Sequence, residues 1–170
     1  MKRVACLGLL LAATIVVSAH AQDIVRRPAG NFPISSSVLV PAGAEIVFVS
    51  GTLPDPLKPD ALAGSAERLG DTEAQAASVL GKLEKELAAS GLSMSDVVKM
   101  NVFLVGDPAK GGAMDFDGLM KSYGRYFGTA AQPNLPARTT VQVVALPVPG
   151  ALVEIELVAA RKVDRPAAAR

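Results

Sequence analysis

The sequence predicts an α+β domain in the order β-β-α-β-α-β-β. Three observations carry that prediction. Residues 71–90 and 113–127 place apolar side chains at spacings of three and four, the stripe of a helix lying on another layer. Five shorter runs, at 37–40, 45–50, 97–105, 139–146 and 152–161, have the branched, alternating character of strands. No low-complexity tract or internal repeat divides the chain, so these elements belong to one domain whose helices need a sheet face to cover.

From the amino terminus, Lys2-Arg3 precedes a mostly apolar run from Val4 to Val17 and then Ser18-Ala19-His20-Ala21. Those are the basic, apolar and small-residue parts of an export signal, with cleavage expected before Gln22. The apolar run is shorter than the roughly 20 residues of a membrane-crossing helix, and no later stretch comes close, so no anchor is expected after cleavage. The expected destination is the periplasm, with full secretion as the alternative.

The strands at 37–40 and 45–50 flank the turn Pro41-Ala42-Gly43. Residues 51–70 hold Pro54, Pro56, Pro59, Gly64 and Gly70 and read as loop. Asp71 is placed to cap the first helix and Gly91 to end it, with Ala76, Leu80, Leu83 and Leu87 as its stripe. In 97–105, Val98, Met100, Val102 and Leu104 face one way and Lys99 and Asn101 the other. The second helix carries Phe116, Leu119, Met120, Tyr123 and Phe127 on one side, with Asp115 as its cap. Pro147-Val148-Pro149-Gly150 joins the last two strands, and 163–170 reads as a solvated tail. The expected boundaries are therefore 1–21 for the signal, 22–162 for the domain and 163–170 for the tail.

Composition narrows the chemistry. The 170 residues include one Cys and one His, Cys6 and His20, and both lie in the expected signal. The 149 residues from Gln22 onward have neither, which excludes a thiolate nucleophile, a Ser-His-Asp triad, disulfides and Cys/His zinc sites. Without Lys2 and Arg3, 15 basic residues face 16 acidic ones, a net charge of −1. That offers no basic field for nucleic acid. Chemistry falls to Arg, Lys, Glu, Asp, hydroxyls, backbone amides or an oxygen-ligated metal.

Arg138 stands at the mouth of a strand, in Pro136-Ala137-Arg138-Thr139-Thr140. Its planar fork of donors matches a carboxylate; a surface pairing with a nearby Glu is the other reading. Glu154 and Glu156 alternate with Val153, Ile155 and Leu157, so both carboxylates share one face. On a solvated face they are ordinary acids. Lined by another subunit, a half-buried Glu would orient a water. The strands of Arg138 and Glu154 flank one turn, which allows them to be neighbours. Ser50-Gly51-Thr52 ends a strand, either as a plain stop or as amides and hydroxyls for a substrate oxygen. Asp107, Asp115 and Asp117 lack the spacing of a calcium loop, and no metal site is expected.

These segments resemble the RidA/YjgF/YER057c/UK114 family of reactive-imine deaminases. The resemblance rests on Ile46-Val-Phe-Val-Ser-Gly-Thr-Leu-Pro54, Asp96-Val-Val-Lys-Met-Asn-Val-Phe103, Tyr123-Gly-Arg-Tyr-Phe127, Pro136-Ala-Arg-Thr-Thr-Val141, Leu146-Pro147 and Val153-Glu-Ile-Glu156, over residues 31 to about 161. It implies a chorismate-mutase-like fold, with two helices on one face of a mixed sheet. It also implies a homotrimer with its sheets inward and clefts between subunits. The implied activity is hydrolysis of enamines and imines to 2-keto acids and ammonia without a cofactor. Carried over by position, Arg138 holds the substrate carboxylate, Glu154 positions or activates water, and Ser50 and Gly51 line the pocket. Three lining positions depart from the family pattern. Ile34 replaces a tyrosine, Met120 stands where many members carry Asn, and Thr140 where many carry Cys. Ile34 and Met120 also fit a non-catalytic trimeric carboxylate binder or a chaperone-like protein. An endoribonuclease reading, attached to some members, conflicts with the expected export and the charge of −1.

Overall fold

The most deeply buried pair in the sheet is formed by its two most regularly apolar strands, β4 (Val97–Val105) and β6 (Val153–Arg161), which run antiparallel. This is a computed structural model, and it describes residues 23–163. The expected export signal and residues 164–170 of the tail lie outside them. Four more strands complete the sheet: β1 (Val25–Ala29), β2 (Phe32–Leu39), β3 (Glu45–Thr52) and β5 (Ala137–Val143). Their order is β1-β2-β5-β4-β6-β3, with β5 parallel to both β4 and β2 and the other pairings antiparallel. The sheet is therefore mixed, as expected.

Helices α2 (Thr72–Ala89) and α3 (Phe116–Tyr123) cover one face, and a four-residue α1 (Ala66–Leu69) precedes them. The α2 stripe predicted from spacing, Ala76, Leu80, Leu83 and Leu87, is fully buried. With Leu119 and Tyr123 of α3 it packs onto Met100, Val102, Leu104, Val153 and Ile155. Each leucine so buried contributes about 1.5–3 kcal/mol relative to exposure. Both helices start on carboxylate caps: Asp71 accepts from the Ala74 amide at 2.9 Å and Asp115 from the Gly118 amide at 3.2 Å. Glu73 near the start of α2 ion-pairs with Lys121 and Arg125, and its carbonyl accepts from the Ser122 hydroxyl at 2.8 Å, which sets α3 beside α2.

Several expectations change. The first hairpin is β1–β2, closed around Gly30 at φ 59°, and β2 begins at Phe32 rather than residue 37. Val25-Arg-Arg-Pro-Ala29 is an edge strand with few buried side chains, so it lacks the alternation that betrays a strand. The second helix ends at Tyr123, not 127. Phe127 is nevertheless buried, because the turns after Gly124 stack its ring on Tyr123 at 4.7 Å between centroids. Finally, β5 and β6 are not neighbours, because β4 lies between them.

The opposite sheet face carries Phe48, Lys99, Asn101, Val141, Glu154 and Glu156, and no helix among the described residues covers it. Phe48 is 79% exposed there. No helix of the described residues is long and apolar enough to cross a membrane.

Candidate functional site

Arg138 lies in register with Met100 of β4, and Met100 points into the helix-covered core. Arg138 therefore points the same way and reaches under α3. Its guanidinium carbon is 4.3 Å from the Tyr123 ring centroid and 5.6 Å from that of Phe116. Its Nη1 approaches the Met120 sulfur at 3.2 Å. No carboxylate among the described residues lies within 4.0 Å of it. Burial pulls the Arg138 guanidinium below its ordinary value, and the Tyr123 hydroxyl works in the other direction. Thr140 follows on the same strand face, and its hydroxyl is buried with no partner among the described residues. Ile34 is on that face one strand away: Ser35 registers with Ala137, so its neighbour Ile34 turns toward the helices and packs on the core. Arg138, Thr140 and Ile34 thus share the helix-covered side of the sheet, and Met120 touches the Arg138 guanidinium.

The second cluster stands at the other end of the sheet order. The ladder between β3 and β6 shifts between Val49 and Thr52, and Ser50-Gly51 occupies the irregularity. A Cβ at residue 51 would run into the Glu154 carboxylate, so only glycine allows the approach. Glu154 is half-buried on the open sheet face, opposite Phe103 of β4. Its neighbour Glu156 accepts from the Asn101 amide at 2.7 Å. Phe48, Ser50, Lys99, Asn101 and Glu156 line a cavity of about 230 Å³ on this face.

The two clusters do not meet within one chain. The idea that Arg138 and Glu154 occupy neighbouring strands is corrected: they are two strands apart, three β4 residues out of register, and on opposite faces. The loop 144–152 that follows β5 crosses past β4 before β6 begins. Tyr123 is the residue that sequence reasoning missed. At helical spacing from Leu119 it reads as core, which it also is, being fully buried. The available signal was its hydroxyl, since a buried phenol needs a partner. That partner is the Pro33 carbonyl, which accepts at 2.9 Å. Burial pushes the Tyr123 phenol up to about 12, with Arg138 pulling the other way, so it stays neutral.

The aspartates at the helix starts are structural. Asp71 and Asp115 are caps, and Asp107 accepts from the Ala109 amide at 2.8 Å. Among the described residues, no group of His, Cys, Asp and Glu is arranged to hold a metal ion.

Known proteins share both the sequence and the fold. Residues 27–161 match the family described as endoribonuclease L-PSP. Protein DfrA of Myxococcus xanthus is 41% identical over 135 residues, which is 79% of this chain and 89% of that protein. A RutC family protein of Haemophilus influenzae is 33% identical over 117 residues, or 69% of this chain and 80% of its own length. A solved Thermotoga maritima structure, provisionally assigned as an endoribonuclease, is 32% identical at a TM-score of 0.53, covering 80% of this chain and 92% of that one. YyfB of Yersinia pestis, from the conserved Rid protein family, superposes at a TM-score of 0.60 over 82% of this chain and 98% of its own, and at 22% identity this is a likeness of fold. The match across nearly all the described residues, together with the mixed sheet under two helices, shows that this chain belongs to the endoribonuclease L-PSP family, which is the RidA/YjgF family.

Proposed function

We propose that the chain hydrolyses reactive enamines and imines derived from amino acids, giving 2-keto acids and ammonia. The observation that carries this reading is Arg138, a partly buried cation that has no carboxylate partner among the described residues and stands beside a buried Thr140 hydroxyl that has no hydrogen-bond partner there either. Removing a cation from water costs several kcal/mol unless something compensates it, and a bound carboxylate would do so. A bidentate carboxylate on Arg138 fixes the adjacent C=N carbon for attack. Water adds to that carbon while Glu154 accepts its proton. On the protonated imine this addition leaves a neutral carbinolamine; the same carboxylic acid then protonates its nitrogen, and as the C–N bond breaks the hydroxyl gives its proton back to Glu154, leaving the keto acid and ammonia. Ser50 and Gly51 line the Glu154 side, and none of these steps calls for a cofactor.

Because Arg138 and Glu154 are on opposite faces of one chain, the reading includes a homotrimer in which the Arg138 cluster of one copy meets the Ser50-Gly51-Glu154 cluster of the next. The open sheet face with Phe48 and Val141 exposed supports self-association. The reading also keeps an exported, periplasmic protein without a membrane anchor, acting on a small molecule and not on nucleic acid. Coupled turnover with imines made by an amino-acid oxidase tests the chemistry. Wild-type rates well above those of Arg138→Ala are expected, and equal rates would overturn it.

A second reading is favoured by Ile34 and Met120, which give the wall around Arg138 apolar groups with little to offer a reacting water. In that case the protein binds 2-keto acids or related carboxylates without turnover, or shields apolar surfaces as a chaperone does. Saturable pyruvate binding with no ammonia release from any imine would support the binder.

A further inference from the structure

We infer that Tyr123 is the positioning residue that turns Arg138 into a carboxylate receptor, and the inference rests on the carboxylate-binding reading above. A buried arginine is ordinarily held by an acid, which neutralises it and occupies its donors. Here the partner is the face of a ring. The guanidinium carbon sits 4.3 Å from the Tyr123 centroid, well inside the distance at which the negative ring face attracts a cation. A ring face uses none of the in-plane N–H groups. Nη1 rests against the Met120 sulfur, while Nε and Nη2 have no hydrogen-bond partner among the described residues. The Nε–Nη2 edge is the one that matches two carboxylate oxygens in parallel.

The platform is itself fixed. The Tyr123 hydroxyl donates to the Pro33 carbonyl at 2.9 Å, which anchors the far end of the ring to β2 immediately before Ile34. Phe127 stacks against the ring at 4.7 Å, and Phe116 lies 5.6 Å from the cation. Asp115, at the start of α3, accepts from the Gly118 amide, Glu73 of α2 is engaged by Lys121 and Arg125, and Asp117 of α3 makes no ion pair with Arg138. Tyr123 thus stabilises the charge, orients the fork and leaves its binding edge empty.

The experiment is pyruvate titration by calorimetry on the full chain. The variants are Arg138→Ala, Tyr123→Leu, Tyr123→Phe and a series with 4-fluoro-, 3,5-difluoro- and 3,4,5-trifluorophenylalanine at position 123. Fluorination drains the ring face while hardly changing its shape, so the series stays informative even where Tyr123→Leu fails to fold. Arg138→Ala is expected to abolish binding, and Tyr123→Leu to weaken it about tenfold. The fluorinated series should weaken it stepwise relative to Tyr123→Phe, with KM rising in parallel and kcat little changed. Lost binding in Arg138→Ala with a flat fluorination series would overturn the role of Tyr123 and leave the carboxylate reading standing. Wild-type pyruvate binding by Arg138→Ala would overturn that reading and the inference with it.

Discussion

The Glu154 carboxylate fills the space where a side chain on Gly51 would begin. The two residues are on adjacent strands, β6 and β3, at the point where the ladder between them shifts. Gly51 is not among the glycines with positive φ, so what matters there is space and not backbone freedom.

Gly51→Ala is therefore expected to displace Glu154 without harming the fold. Turnover should fall by about tenfold or more, as for a misplaced catalytic group. Pyruvate affinity should change far less than turnover, because Arg138 of the neighbouring copy holds the carboxylate under the proposed function. Steady-state kinetics alongside calorimetry separates the two effects.

Tyr123 gives a pH signature. Its phenol ionises at about 12 in the folded chain against an ordinary value of 10, so between those values the unfolded chain loses its proton first. Stability is full below pH 10 and falls as pH rises toward 12, by about 2–3 kcal/mol across the window. Urea unfolding of wild type against Tyr123→Phe at several pH values checks this. The comparison cancels the contribution of Arg138, whose lowered value acts with the opposite sign.

Helix α3 carries Met120 and Tyr123 and spans only eight residues, so its cap matters. Asp115→Ala removes the acceptor of the Gly118 amide and should cost about 1 kcal/mol in chemical denaturation. The same change should weaken pyruvate binding, because the ring under Arg138 is fixed through that helix.

Phe48→Glu places a charge on the exposed sheet face without touching the helix-covered core. Under the homotrimer proposed above, sedimentation velocity should show trimers for the wild type and monomers of unchanged circular dichroism for the variant. Imine turnover should disappear with the assembly.

How much of this was legible follows from what each residue's neighbours are. The α2 stripe and the inward side of β4 were readable because burial imposes a period that composition cannot imitate. β1 was not, since an edge strand of Arg, Arg and Pro buries almost nothing. Arg138, Glu154, Ser50 and Gly51 were selected from residue type and from motif likeness. Their separation was hidden because chain order reports the turn at 147–150, and not the strand that comes to lie between its two arms. Tyr123 was hidden by doing two things at once, filling the core and facing a cation.

The placement of Arg138 and Glu154 on opposite faces of the β5-β4-β6 layer has a genetic consequence under the proposed function. Defects in the two residues belong to different complementation groups within a single polypeptide. Chains carrying Arg138→Ala and chains carrying Glu154→Ala, each inactive alone, would regain about a quarter of the intact clefts when unfolded together and reassembled at random, because each cleft draws one residue from each neighbour.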